Sequence, residues 1–535
     1  LLLASVGLLL LIACANVAGL FLARAASRQE ELAVRVAIGA GRSRLVRQLM
    51  TESFLVSLLG GSLGLLLTTW GTRLIIATTP ELPRIDAIRV DGAVFGFGLG
   101  VTLLAVVLTG LVPAWQATRT AAASRLREGG RGAVIRSGAR MRAGLVTAEI
   151  ALAVILLAAA GLLMKSFARL ASADPGFRTE GAVAFMVRLP DSYDTDGKTL
   201  SYYDELFQHL RALPGVDGAG AVHRLPMAWN GFSARLIRVE GIEPPSPGRP
   251  GQAPRMIYRP VTPGYFDAMS IPIVRGRDIS ESDRAGAPLV AVINETAAQR
   301  FFQGEDPLGR RMSITAGDDD DLLWTVVGIA GDVVDWRFTG AQAPEIFLPY
   351  AQATWSSYMS VVVRGSGDPR ALVPAIRRAA LQVDPNAPAR DFRTLERVVG
   401  DAVAGERILS SFLGIFAAAA LLLAAIGVFG LFSFTVAERT REIAVRAALG
   451  ARRAELMTMV LGDAIRLTGV GLTLGVLGAV ASTRVLEGQL YGVNALDPAT
   501  FAGAIVLLAL TAVSACLLPA RRAAAVDPIT ALRQD

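Results

Sequence analysis

Two cysteines and two histidines stand among 535 residues, and only 19% of the chain is charged. Each shortage excludes something. Cys14 and Cys516 both lie in long apolar runs, so the polar middle of the chain has no cysteine and no disulfide to staple it in an oxidising compartment. That middle must hold its own core, and at over 230 residues it is long enough to do so. His209 falls in a predicted helix and His223 in a predicted strand, and neither has a sequence-local nucleophile elbow or paired metal ligand. The one Gly-Lys-Thr, Gly197 to Thr199, has Ser192 where a phosphate loop needs its first glycine. The acidic run Asp318 to Asp321 lacks the spacing of an EF-hand and reads as a solvated hairpin tip. The sequence therefore points away from an enzyme, with no catalytic, cofactor-binding or metal residues to name.

What is present is apolar surface: 52% hydrophobic residues and a mean hydropathy of +0.46, beyond the range of an ordinary soluble enzyme. Seven stretches reach the roughly 20 helical residues that a hydrocarbon core requires: 1 to 23, 52 to 78, 92 to 115, 143 to 164, 408 to 436, 460 to 485 and 499 to 519. Arginine orients them. Loops 24–51, 116–142 and 437–459 and the tail after 519 are Arg-rich, whereas 79–91 and 486–498 carry Glu81, Asp86, Asp91, Glu487 and Asp497. By the positive-inside rule the first group is cytoplasmic, and all seven spans then alternate, with 165–407 on the outer side. The net charge of +7 is explained by cytoplasmic loops facing anionic lipid and calls for no nucleic acid.

Arg28 to Arg42, RQEELAVRVAIGAGR, returns as Arg439 to Arg453, RTREIAVRAALGARR, identical at nine of fifteen positions with an offset of 411. Each copy follows one apolar run and precedes two more, so the repeat is a membrane module with a charged elbow. Arg28, Glu31, Arg35 and Arg42 share one helical face. Glu31–Arg35 and Glu442–Arg446 are ion pairs of favourable i,i+4 order. The elbow helix is expected to end at Gly39 or Gly450, where glycine takes the left-handed position. Two readings stay open: an interfacial helix that anchors the fold to lipid, or a docking knob for a cytoplasmic partner. The same offset aligns Leu1 with Phe412, and since the second copy reads helix, outer domain, three helices, an earlier helix and outer domain are expected before Leu1.

Between the membrane runs, a strand at 182–189, a helix at 200–213 and a strand at 216–225 are followed later by a strand at 359–364, a helix at 369–383 and a strand at 388–395. Two strand–helix–strand units predict one α/β lobe split by an insertion, about 226–357, that is richer in strands. Its stretch Gly241 to Pro254 reads as a mobile loop. Of the polar residues in membrane runs, Glu52 and Asp463 are expected in the first turn of their helices, complementing the dipole. Glu149 is expected to snorkel to the cytoplasmic face, and Asn16 to bond a neighbouring helix.

REIAVRAALGA (Arg441 to Ala451), EELAVRVAIGA (Glu30 to Ala40), LPARRAAAVDPITALR (Leu518 to Arg533), VTPGYFDAM (Val261 to Met269), INETAAQRFF (Ile293 to Phe302) and DPLGRR (Asp306 to Arg311) together resemble the MacB/FtsX permease superfamily of type VII ABC transporters. The duplicated layout is similar to the long acidobacterial-type permeases, a resemblance that implies an N-terminally truncated fragment. The resemblance implies an α-helical membrane protein of seven transmembrane helices in duplicated three-to-four-helix FtsX-like units, with a two-lobed α/β periplasmic domain of MacB periplasmic-core type. The units would run 1–135, first permease unit; 136–169, the helix opening the second; 170–407, periplasmic core domain; and 408–535, second permease unit. It implies a multi-pass protein of the bacterial inner membrane with 170–407 periplasmic. Its function would be a permease subunit of an export or mechanotransmission system, or alternatively an FtsX-like scaffold controlling a periplasmic partner such as a cell-wall hydrolase. ATP would be bound by a partner, a cytoplasmic ABC ATPase, with membrane lipid and a periplasmic or outer-membrane protein as further partners. Arg28, Glu31, Arg35, Gly39, Arg439, Glu442, Arg446 and Gly450 would form the ATPase-coupling elbows. The first unit keeps Pro113 opposite Pro519 but has Ala121 and Ala122 opposite Asp527-Pro528, so the two halves need not engage a partner equally.

Overall fold

The computed structural model describes residues 1–27, 42–78, 89–123, 131–228, 234–240, 255–302, 304–314, 322–334, 342–354, 358–449, 451–486, 488 and 490–524. It divides into two compact units, one made of 1–165, 409–488 and 493–535, the other of 166–408 and 489–492. The chain begins with four long helices, α1 (Leu2–Ser27), α2 (Arg42–Thr78), α3 (Gly92–Ala123) and α4 (Arg131–Ser172). Apolar runs of this length form helices because every backbone group then finds its partner within the segment. The helices outrun those runs. α2 starts at Arg42 and α4 at Arg131; in α2 the added segment RSRLVRQLM is built largely of good helix formers and carries no proline or glycine to stop it. The expected loops 24–51 and 116–142 are therefore partly helix, and Glu52 lies well inside α2 instead of in its first turn. α2 packs along α3, and α3 along α1.

The second unit is the α/β domain: β1 (Ala182–Arg188), α5 (Asp196–Arg211), β2 (Val216–Val222), β3 (Ala234–Val239), β4 (Arg255–Val261), α6 (Tyr265–Met269), β5 (Ile273–Gly276), β6 (Val290–Asn294), α7 (Glu295–Phe302), β7 (Arg311–Ile314), β8 (Leu322–Ala330), β9 (Glu345–Pro349), β10 (Tyr358–Gly365), α8 (Pro369–Val383), β11 (Arg390–Thr394) and α9 (Leu395–Ala402). The predicted split lobe is there. β11, β1, β10 and β2 lie side by side, with Phe185 opposite Val361 and Val362 opposite Gly220. Alternation assigns its faces: Val183, Phe185 and Val187 pack on Tyr203, Leu206 and Leu210 of α5 and Ile376 and Ala380 of α8. Ala182 and Ala184 belong to a second core with Tyr265, Phe266 and Leu395.

The insertion forms its own ring of strands, β4–β3–β7–β8–β6–β9, closed by the parallel β9–β4 pair, and closure removes free edges. Met256, Trp324, Phe302 and Leu348 fill it. One residue pair, Val222 with Val261, joins β2 to the ring. Arg259 and Glu345, each 1% exposed, form a two-pronged ion pair between β4 and β9, at 2.9 Å from Nε and 2.7 Å from Nη2, while Nη1 donates to Arg224 O. Residues 241–254 and 318–321, expected as a loop and a hairpin tip, lie outside the described residues.

The chain then returns to the membrane unit through α10 (Ala404–Glu438), α11 (Thr440–Ala448), α12 (Arg453–Leu486) and α13 (Pro498–Ala524). Ile150 and Val154 of α4, Ala424 and Val428 of α10, Val460 of α12 and Ala512 of α13 share one core with Ile12 of α1. α4 meets α12 at two glycines: a Cβ on Gly471 would stand 2.8 Å from that of Ile150, and one on Gly475 2.6 Å from that of Val154, the close approach small residues permit in membranes.

Six described helical segments are long and apolar enough to cross a membrane, Leu2–Arg24, Met50–Leu74, Arg140–Ser172, Ala404–Glu438, Arg453–Leu486 and Pro498–Arg522. The seventh expected span falls on α3, of which Gly92–Val107 is an apolar helix among the described residues. The molecule is a multi-pass α-helical membrane protein carrying a mixed α/β domain. Glu149 does not snorkel. It is 1% exposed and accepts a hydrogen bond from Asn16 Nδ2 at 2.6 Å; Asn16 also donates to Leu423 O at 2.8 Å, the interhelical bond expected of it. Burial without a partner would be costly, and the amide supplies one.

Candidate functional site

The elbow that the sequence singles out is α11, a short helix between α10 and α12. Its first residue follows Arg439, the N-cap, and the 3- and 4-residue steps to Glu442 and Arg446 put the three on one side. Their side chains are about half exposed, at 47%, 50% and 48%. Ile443 at 1% and Ala444 at 0% are buried, Ile443 in the membrane unit's core. Arg446 pairs with Glu442 at 2.7 Å as expected and also donates to the sulfur of Met459 on α12. Arg439 reaches Asp463 of α12 at 3.3 Å. Asp463, ten residues along α12 from Arg453, therefore braces the elbow; it does not sit in the first turn to complement the dipole.

Val445 and Leu449 lie on the exposed side, Leu449 at 82% exposure. Charge spacing drew attention away from them, although their own i,i+4 spacing marks a second stripe. α11 ends at Ala448, with Leu449 as C-cap. Gly450, and Arg28, Glu31, Arg35 and Gly39 of the first elbow, lie outside the described residues. The arrangement is a helix with a fixed rear and an exposed face of two apolar side chains among Arg and Glu side chains.

Other candidates take structural places. Gly197, Lys198 and Thr199 make the first turn of α5, with Lys198 donating to Asp194 and to Ser192 O. His209 lies on the exposed side of the same helix and bonds Glu205 O. His223 follows β2, is buried beside Tyr358, and burial, with Arg224 and Arg259 nearby, pulls its pKa down to about 4. Among the described residues no three His, Cys, Asp or Glu side chains gather as metal ligands.

Comparison with known proteins gives two family matches: the FtsX-like permease C-terminal family over residues 3–122 and 414–528, and the MacB-like periplasmic core domain over 143–379. The pyoverdine export ATP-binding/permease protein PvdT of Pseudomonas syringae pv. syringae is 29% identical over 272 residues, 49% of this chain and 40% of that protein. The macrolide export ATP-binding/permease protein MacB of Hahella chejuensis is 28% identical over 287 residues, 51% of this chain and 42% of that one. The chain thus spans less than half the length of these curated relatives. Among solved structures, the periplasmic region of MacB from Actinobacillus actinomycetemcomitans aligns at 14% identity and a TM-score of 0.28, covering 43% of this chain and 95% of that one. The extracellular domain of the transporter YknZ from Gram-positive bacteria aligns at 13% and 0.26, covering 39% and 98%.

Proposed function

The chain has the domain architecture of a MacB/FtsX-like ABC transporter permease, and on that premise we propose that it is a permease-type subunit of an export or mechanotransmission system. A separate cytoplasmic ABC ATPase hydrolyses ATP and pushes on the elbows, and the periplasmic domain moves in response. In this reading the fold is a duplicated unit of seven transmembrane helices, divided as 1–135, 136–169, 170–407 and 408–535. Arg28, Glu31, Arg35 and Gly39 do in the first elbow what Arg439, Glu442, Arg446 and Gly450 do in the second.

The observation that carries this reading is the two-sidedness of α11. Ile443 and Ala444 fix its rear, so a push on the exposed face moves the helices it joins, while Val445 and Leu449 amid Arg439, Glu442 and Arg446 have the apolar-centre, polar-rim composition of a protein contact. That favours a docking knob over a lipid anchor. One continuous 35-residue helix, α10, leads from the periplasmic domain to the elbow and, at 1.5 Å per residue, is about 50 Å long. Capture of the full-length protein from membranes should bring down an ABC ATPase. Reversing Arg35 and Arg446 to Glu should abolish capture while leaving membrane insertion intact, and Leu449→Asp should weaken it at least tenfold. Unchanged capture in both variants would sink the reading.

A further inference from the structure

α1 and α10 are counterparts at the 411-residue offset of the repeat, and they face each other across a small cavity of about 30 Å³. Ala15, Asn16, Gly19, Leu20 and Ala23 line it from α1. Their five counterparts at +411, from Ile426 and Gly427 to Phe434, line it from α10. Two copies of one surface meeting through the same positions is the geometry of a twofold subunit interface. Here both copies belong to one chain.

The chemistry at the centre is not twofold. Asn16 faces its own counterpart, Gly427, and a Cβ at Gly427 would collide with the carboxylate of Glu149 and the amide of Asn16. The space left by the glycine holds the Asn16 amide, which bonds Glu149 and Leu423 O. Were α10 to pair with α10 of a second copy, glycine would face glycine and each buried Glu149 would lose its donor. Were α1 to pair with α1, asparagine would face asparagine with no glycine to admit it. First-with-second pairing satisfies every one of these groups, and a polar group stranded in the membrane core is what penalises the alternatives.

We propose that the chain is its own permease dimer: its two repeated units pair with each other as two subunits would, and Glu149, Asn16 and Gly427 lock that pairing to first-with-second. The proposal takes from the functional reading only that the repeats are permease units; its test reads pairing whether or not an ATPase binds.

The test is cross-linking in native membranes, in full chain carrying Cys14→Ala and Cys516→Ala and a protease site inserted within 241–254. Gly19→Cys and Gly430→Cys are the probes, since a Cβ at Gly19 meets nothing within 4 Å and one at Gly430 only Leu20 Cδ2 at 3.8 Å. With both present and a short bis-maleimide added, the two fragments should stay joined on a denaturing gel after proteolysis. Either cysteine alone should give neither joined fragments nor a band at twice the chain's mass. A covalent dimer from Gly430→Cys alone would overturn the proposal. Adding Asn16→Leu should cut the linked fraction at least fivefold, and an unchanged yield would refute the lock. Native mass spectrometry of the unsubstituted chain, which needs no variant to fold, should show one copy per particle; two copies would overturn the pairing as well.

Discussion

Identical residues at equivalent positions of the repeat have different surroundings. Gly60 and Gly64 of α2 are the counterparts of Gly471 and Gly475, yet a Cβ at either meets nothing within 4 Å, whereas the second pair is pressed by Ile150 and Val154. Gly471→Val and Gly475→Val should each destabilise the membrane unit by about 1–3 kcal/mol, the usual cost of overpacking, and Gly60→Val and Gly64→Val should leave the melting temperature of the purified protein near its original value. In the α/β domain, Arg259→Met should cost roughly 3–5 kcal/mol, because it removes one half of a buried ion pair, and Arg259→Met with Glu345→Leu should recover most of that. Thermal melts of the four proteins of that cycle check it. His223 supplies a pH dependence. Its folded pKa of about 4 lies below the ordinary 6.5, so the unfolded chain binds the extra proton first; stability is full above about pH 6.5 and falls as pH drops towards 4, by up to about 3 kcal/mol. His223→Phe should flatten that slope, and an unaltered slope would show that another group carries it. None of these partners was legible locally: Glu149 resembles a snorkelling carboxylate until Asn16, 133 residues away, is brought beside it.

Elements were easier to read than their ends or their partners. A membrane helix announces itself through some 20 apolar residues, and the α/β lobe through alternation in β1 and the helical period of α8, whose bounds of Pro369–Val383 coincide with the sequence expectation. Helix ends were misplaced where charged residues continue the helix, as at Arg42 and Arg131. Strand neighbours were hidden because β1 pairs with β10 across 170 residues or more, and nothing local encodes that choice. Ends also carry function at this scale. Asp497 caps α13 by accepting from Thr500 N at 3.0 Å and holds Lys165 of α4 at 2.7 and 2.8 Å, contacts that pull its pKa down to about 2. The carboxylate stays ionised, and its contribution is present above about pH 4 and lost only as pH falls towards 2. Asp497→Asn should keep the cap and lose the ion pair, while Asp497→Ala loses both, so melting temperatures at neutral pH should fall in the order original, Asn, Ala.

At the scale of the whole molecule, the membrane unit and the α/β domain have separate apolar cores. Heating should therefore give two calorimetric transitions, with Gly471→Val lowering one and Arg259→Met the other; a single transition moved by both would contradict the separation. Within the α/β domain the chain leaves the four-stranded sheet after Val222 and re-enters it at Tyr358, and those points adjoin, since Val222 lies opposite Ser360. The ring of strands is thus hung between neighbouring strand ends, where an insertion can be lengthened, exchanged or deleted without re-threading its host. Evolution can vary what the ring touches as a cassette, leaving the sheet, α4 and α10 unaltered, and descendants of one such gene would diverge fastest there.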